Sequence, residues 1–335
     1  MENRIIVDMV SSILSDKVNR PKWEKAYLRY ANNILANQAR YTAARKCFRL
    51  PKPMYKYSSI TMASNTPEFD IRVQGQSIGC IKVRNGIPYL DVTQEKAQKT
   101  AEHFKLPNMP IDYKNWSTSE QAKQFRKLFS GKKFGKLKSE EHKVENLLLA
   151  EFAKRLRTDN KQLCNIQPVK LSECFFQLTT PLKASTHDPS FSMNSKGGAT
   201  GGGIDILARV KHSPTQNRLA VIELKDENKE SESQEKVMHQ ALIYATFIAH
   251  LLRSESAKKW WEVFQMKDSV DKTIELDVIT LMPKGDSSEG RLEPIVIESL
   301  NTTLYPMTLY YEVNTVGELT GFSGTLLNTI YKAGM

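Results

Sequence analysis

No stretch of this 335-residue chain approaches the roughly 18–20 uninterrupted apolar residues of a membrane span. The opening MENRIIVDMVSSILSDK has a short apolar run already broken by Asp8. No small-residue cleavage site follows it, so no signal peptide is expected. Cysteine is scarce: Cys47, Cys80, Cys164 and Cys174 are scattered without C-x-x-C spacing. That argues against a zinc ribbon and a secreted disulfide framework, and fits a reducing cytoplasm. Internal repeats and long low-complexity tracts are missing, which sets solenoids aside. None of the six histidines sits in a recognisable nucleophile motif, so a catalytic triad has little support.

Acidic residues are also scarce, but only in one part of the chain. Overall, 48 Lys and Arg face 37 Asp and Glu, a formal charge of +11. Residues 1–225 hold 38 basic and 20 acidic side chains, and the remainder holds 10 and 17. So basic a portion is an electrostatic reason to expect a polyanionic partner, most simply nucleic acid. A basic solvated surface is the plainer reading of the same numbers. With 40% hydrophobic and 25% charged residues the composition is that of an ordinary globular protein, long enough for two domains.

Periodicity predicts an initial helix carrying Ile5, Ile6, Met9, Val10 and Leu14, a break at Asn19-Arg20-Pro21, and a second helix to about Phe48. Short β-prone runs follow over 69–93, with Asn85-Gly86 as a hairpin signal. Helices are expected near 94–104 and 118–129, the latter opened by a Ser117-x-x-Glu120 capping box. The basic, glycine-interrupted stretch with Lys132, Lys133, Lys136 and Lys138 is the expected boundary between a basic α+β domain, 1–135, and a second domain, 136–335. The second domain should open with a helix from Ser139 to about Leu156, then a strand within 172–184 and a polar loop, 185–203. Strands at 204–211 and 219–225 are joined by a turn, 213–217. A helix at 232–252 starts from Ser231-x-x-Gln234, and another lies around 257–265. Strands at 274–282 and 304–313 and a short final helix complete the series. The expected fold class is α/β, with a mixed central β-sheet flanked by helices.

Residues 203–244 carry the chemistry. Asp205 lies in one strand, and the next ends Glu223-Leu224-Lys225. Strand side chains alternate, so Glu223 and Lys225 share a face, and a hairpin brings Asp205 beside Glu223. Two adjacent carboxylates repel and titrate upward unless a cation neutralises them. A hard divalent ion such as Mg²⁺ answers that need. Lys225 beside it could orient the attacking water and offset charge on a phosphate. Gln240 and Tyr244, four residues apart on the next helix, share one face. The competing readings are edge-strand charges facing water, and the polar edge of a helix whose core is Met238, Ala241, Leu242, Ala245 and Ala249. His239 is expected to face solvent. The run 197–203 lacks the Lys-Ser/Thr ending of a P-loop and reads as a flexible loop at the rim of the site.

The strings GGIDILARV, LAVIELK and QALIYATF resemble the PD-(D/E)XK nuclease superfamily, in particular its RecB-like and lambda-exonuclease-like branch. The resemblance covers about forty residues. It implies a restriction-endonuclease-like core and hydrolysis of phosphodiesters with Mg²⁺ or Mn²⁺, with DNA preferred to RNA and a 5′-phosphate product. It further implies that Asp205, Glu223 and the Leu224 carbonyl bind metal, that Lys225 serves the attacking water, and that Gln240 and Tyr244 support the site or the substrate phosphate. Many members also place a glutamate on the helix before the sheet. Glu141, Glu145 and Glu151 qualify here, and Glu145 is favoured. Iron–sulfur members carry cysteines downstream of the Gln-Tyr helix, where this chain has none.

Helix 21–48 interleaves Trp23, Tyr27, Tyr30, Tyr41 and Phe48 with cations. Lys22, Lys25, Arg29 and Arg45, together with Lys132 and Lys133, are the candidate nucleic-acid contacts. The aromatics themselves are more simply core residues, leaving the cations outside. The sequence thus points to a metal-dependent nuclease. The alternatives are a non-catalytic nucleic-acid-binding or assembly protein on the same fold, and a transposase or recombination subunit active only in a complex.

Overall fold

The computed structural model describes residues 3–58, 67–107, 114–131, 140–153, 165–184, 188–213, 215–226, 233–267, 269–284, 292–314, 319–324 and 331–332. The chain begins with helices α1 (Asn3–Ser15) and α2 (Asn19–Arg45). Strands β1 (Tyr55–Ser58), β2 (Glu68–Val73), β3 (Gln76–Arg84) and β4 (Ile87–Asp91) follow, then α3 (Gln94–Phe104), β5 (Lys114–Asn115), α4 (Glu120–Phe129) and α5 (Glu140–Ala153). Short strands β6 (Ile166–Pro168), β7 (Lys170–Leu171), β8 (Cys174–Phe175), β9 (Leu182–Lys183) and β10 (Ser190–Phe191) lead to β11 (Ile206–Lys211) and β12 (Asn217–Leu224). Beyond them lie α6 (Gln234–Leu251), α7 (Ala257–Val263), β13 (Ile274–Pro283), β14 (Ile295–Ile297), β15 (Thr302–Val313), β16 (Leu319–Gly324) and β17 (Tyr331–Lys332). The architecture is mixed α/β, with two large mixed sheets.

Two compact units divide the chain. One comprises 1–31, 147–169 and 177–335, the other 32–146 and 170–176. A single boundary after residue 135 differs from this division. The physical reason is connectivity: α2 and α5 each span a unit boundary, and segment 170–176 returns so that β8 pairs parallel to β1.

The smaller unit holds a seven-stranded sheet in the order β5-β4-β3-β2-β1-β8-β7. The Asn85-Gly86 signal is a tight β3–β4 turn in which both residues adopt positive φ. Phe69 sits at its centre, edge-to-face with Tyr41 and Phe48. Helix α4 is capped by Ser119, whose Oγ accepts from Ala122 N, not by Ser117. Ser117 N–H instead donates to the Asn115 side chain, in the turn before the helix.

The larger unit holds the sheet β17-β16-β15-β13-β12-β11-β6, with β14 also on β15. Strand β11 is antiparallel to β12, while β12, β13 and β15 run parallel. Helix α6 packs on β12 and β13, and α1 packs on α6. Its residues from Met238 to Leu251 are buried apart from His239 and Gln240, so the helix is interior on nearly every side. Its cap is Ser233, accepting from Lys236 N, while Ser231 lies outside the described residues. Instead of a short final helix, the described part of the C-terminal region forms antiparallel β16 and β17. The expected Ser139 cap and residues 154–156 also lie outside the described residues, and the helix there is Glu140–Ala153.

The aromatic stripe at the start of α2 is core. Trp23 and Tyr27 are fully covered and meet Phe247 edge-to-face, and Tyr27 and Tyr30 both pack on Trp260. Two indole N–H groups bind backbone carbonyls: Trp23 donates to Leu14 O and Trp260 to Tyr27 O. Lys22, Lys25 and Arg29 consequently point outward.

Candidate active site

The β11–β12 hairpin creates the carboxylate pair. Ile206 stands opposite Ile222, which puts Asp205 across from Glu223 one step beyond. The two segments are cross-linked there. Asp205 N donates to Glu223 Oε1 at 3.3 Å, and Leu224 N donates to Asp205 Oδ2 at 3.1 Å. Glu223 is 1% exposed, and its Oε2 is buried without a hydrogen-bond partner. Burial, and then the charge of Asp205, push its carboxyl well above the ordinary carboxylate range. The Asp205 backbone N–H and the Lys225 ammonium act the other way. Edge-strand charges facing water would show neither this burial nor this shift.

Lys225 is half-buried just past β12. Its N–H donates to Leu281 O, and its carbonyl accepts from the Tyr311 hydroxyl at 2.6 Å. Tyr244 is buried with its hydroxyl pKa raised, first by desolvation and then by the charge of Glu223. A hydrogen bond from Gln240 opposes that shift, and Asp205 adds to it. Asp205, Glu223, Lys225, Gln240 and Tyr244 are therefore brought together. His239 is not a solvent-facing residue: its side chain is 13% exposed, and Nε2 lies 3.8 Å from Glu235 on the same helix.

Glycines 201–203 are held by backbone hydrogen bonds to residues 180–182 and lie beside Tyr244. Thr180 N donates to Gly202 O, Gly201 N to Thr180 O, Gly202 N to Leu182 O and Ile204 N to Leu178 O. The reason is close approach. A Cβ at Gly202 would land on the Tyr244 hydroxyl, and one at Gly201 on the Leu182 backbone. This pairing also replaces the single strand expected within 172–184. Ser172 and Glu173, both at positive φ, turn the chain between β7 and β8 before it runs on to the glycines.

The sequence reading missed a polar row beside Glu223. Thr280 stands next to Glu223 in register, and Thr308 next to Thr280. Their hydroxyls are 2.9 Å apart, and Gln234 Nε2 donates to Thr308 Oγ1 at 2.8 Å. A buried threonine in the middle of each of two apolar strands was the available signal.

Glu145 is almost fully buried in the smaller unit, close enough to Tyr57 and Arg72 to raise the pKa of each. The Glu141 side chain lies outside the described residues, and Glu151 is half-buried. No cluster of three or more His, Cys, Asp or Glu side chains suited to a metal occurs among the described residues. Lys132 and Lys133 lie outside them. Arg45 is half-buried, with its charge directed at Lys56 and Lys170.

The donor set still fits a hard cation on chemical grounds. It offers two carboxylates on adjacent strands, one of them with a buried and uncompensated oxygen, beside a backbone carbonyl at the strand end.

A second acidic pair occupies the other end of β12 and β13. Asp277 stands opposite Ala220, three rows from Glu223 and hence on the other face of the sheet. Though fully buried, it meets His212 Nε2 at 2.7 Å and Arg218 at 3.5 Å. Glu275 accepts two hydrogen bonds from Arg218, one from Gln216 and one from Tyr305. Burial raises the Glu275 pKa, but the Tyr305 hydrogen bond and Arg218 outweigh it, so the carboxyl lies below its ordinary value.

Compared with protein-family models, curated proteins and solved structures, the chain matches none. Among the described residues, no helix is long and apolar enough to cross a membrane.

Proposed function

We propose that this chain is a metal-dependent nuclease hydrolysing phosphodiester bonds, with DNA the preferred substrate. One observation carries the reading: Asp205 and Glu223 face each other across the hairpin, and Glu223 is buried with one oxygen that no hydrogen bond satisfies among the described residues. Asp205, Glu223 and the Leu224 carbonyl would hold Mg²⁺ or Mn²⁺. A divalent ion held there supplies Lewis acidity and a water activated for in-line attack at phosphorus.

The chain's own groups do the rest. The Lys225 ammonium, near enough to pull on the Glu223 carboxyl, orients the attacking oxygen and offsets charge on the phosphate. Tyr244 keeps its proton, because both burial and Glu223 disfavour the phenolate. It therefore serves as a hydrogen-bond donor, aimed by Gln240. The bare backbone at Gly202 leaves room for that hydroxyl.

The test is purified protein with Mg²⁺ or Mn²⁺ on linear, circular and single-stranded DNA and on RNA. Cleavage is expected on DNA and is abolished by EDTA, by Asp205→Ala and by Lys225→Ala, with binding nearly intact. Wild-type activity that persists in EDTA or in those variants would sink the mechanism.

A further inference from the structure

The larger unit contains a cleft of about 650 Å³, not lined by the carboxylates, between the first turns of α2 and the hairpin around 191–197. Lys22, Lys25 and Arg29 form one wall, and Lys196 stands on the other. All four are exposed, and no acidic side chain lines the cleft among the described residues. We propose that this cleft is a phosphate-backbone clamp for the nucleic acid, holding it at a distance from the point of cleavage. The choice of ligand rests on the nuclease reading; the site itself rests on the geometry that follows.

Positions 22, 25 and 29 fall on one face of α2, because a helix repeats every 3.6 residues. That face cannot roll inward, since Trp23 and Tyr27 anchor the opposite side against Phe247 and Trp260. Ala26, between the cations, keeps the floor low. The facing hairpin is rigid for its own reasons. Asn194 Oδ1 accepts from Lys196 N and Gly198 N at 3.0 and 2.9 Å, Gly197 takes the positive φ of the turn, and Met193 bridges Ala199. Four cations on two fixed walls describe a receptor for a run of phosphates, because a polyanion releases its counterions to such a surface.

The clamp and the carboxylates share one frame. The Tyr27 hydroxyl donates to Thr179 O, and Thr179 bridges Gly203, two residues before Asp205. From Gly197 to Asp205 the chain spans at most about 29 Å. One strand of nucleic acid, at about 3.4 Å per nucleotide in a duplex, reaches both within roughly nine nucleotides.

The test separates binding from cleavage. Binding of labelled single- and double-stranded DNA is followed by fluorescence anisotropy in EDTA across a salt series. Hydrolysis of bis(p-nitrophenyl) phosphate is followed in Mn²⁺, since that substrate is too small to reach the cleft. The variant Lys22→Gln/Lys25→Gln/Arg29→Gln should lose about tenfold or more in affinity, with a log–log salt slope shallower by about two to three. Lys196→Glu, on the opposite wall, should weaken binding in the same direction. Removing the same charge at Lys258, Lys267 and Lys272 should change affinity far less, and all variants should melt like the wild type. Hydrolysis of the small diester should be unchanged by the cleft substitutions. If both cleft variants bind DNA like the wild type, or no more weakly than the control variant, the clamp is overturned. If they lose DNA while the wild type hydrolyses neither DNA nor the small diester, the clamp stands and the nuclease reading fails.

Discussion

At one end of strands β12 and β13 lie Asp205 and Glu223; toward the other, on the opposite face, lie Glu275 and Asp277. Both pairs take carboxylates out of water, which is costly unless each charge finds a partner. Toward the second end the protein provides partners of its own: Arg218, His212, Gln216 and Tyr305. At the first end two backbone N–H groups and Lys225 act on the pair, but burial and the charge of Asp205 outweigh them and hold the Glu223 carboxyl above its ordinary range. The same sheet therefore sets a guanidinium 3.5 Å from one buried carboxylate, although Asp277 Oδ1 also lacks a hydrogen bond among the described residues, and leaves Glu223 with its pKa raised at the other end.

Four perturbations press on that contrast. The largest effect should come from Asp205→Ala, which removes one of the proposed metal ligands: metal-dependent cleavage falls by about a thousandfold, on the order of 4 kcal/mol in the barrier. Gel assays with Mg²⁺ decide this, and near-wild-type turnover would erase the contrast. Next comes Arg218→Ala at the other end, which strands Asp277 without its guanidinium. A loss of about 3 kcal/mol in urea unfolding is expected, with cleavage per folded molecule unchanged. A third change, Gly202→Ala, pushes a methyl onto the Tyr244 hydroxyl. It should cost about 2 kcal/mol of stability and reduce kcat; adding Tyr244→Phe should relieve the stability loss in part but not restore kcat.

The smallest effect has the opposite sign. Glu223 has a folded pKa above its unfolded value, so the stability its protonated form contributes is full below about pH 4.3 and is lost as pH rises through the folded value. Glu223→Gln removes that loss. The metal-free variant should melt about 1–3 °C higher than the wild type at neutral pH, with a flatter pH dependence. Added Mg²⁺ should raise the melting temperature of the wild type but not of the variant. A variant less stable than the wild type at every pH would show that Glu223 is already satisfied.

Much of this site is visible in the sequence because its geometry is local. Asp205 and Glu223 belong to one hairpin whose register follows from a short turn, and Gln240 and Tyr244 lie one helical turn apart on the next helix. Glu223 also stands in an apolar strand, which announces its burial. What escapes is non-local. Gly202 is required by Tyr244, forty-two positions away in the chain, so composition alone reads the glycines as looseness. Thr280 and Thr308 align with Glu223 only once three parallel strands are in register. Caps at Ser119 and Ser233 fall two residues beyond their sequence signals, because neighbouring serines offer equivalent chemistry and tertiary packing chooses among them. The fold class follows from alternating periods, but the return of segment 170–176 to the earlier sheet leaves no local trace.

The packing of α1 on α6 has a consequence for how the chain matures. Ile6, Val7, Val10 and Leu14 of α1 are buried, yet their partner helix follows roughly 220 residues later. Until α6 is made and seated, that stripe has no permanent cover and is free to stick to other chains. Refolding yield should therefore drop as concentration rises. A fragment starting at residue 136 would carry α6 with one side stripped, so it should aggregate rather than behave as a shorter enzyme.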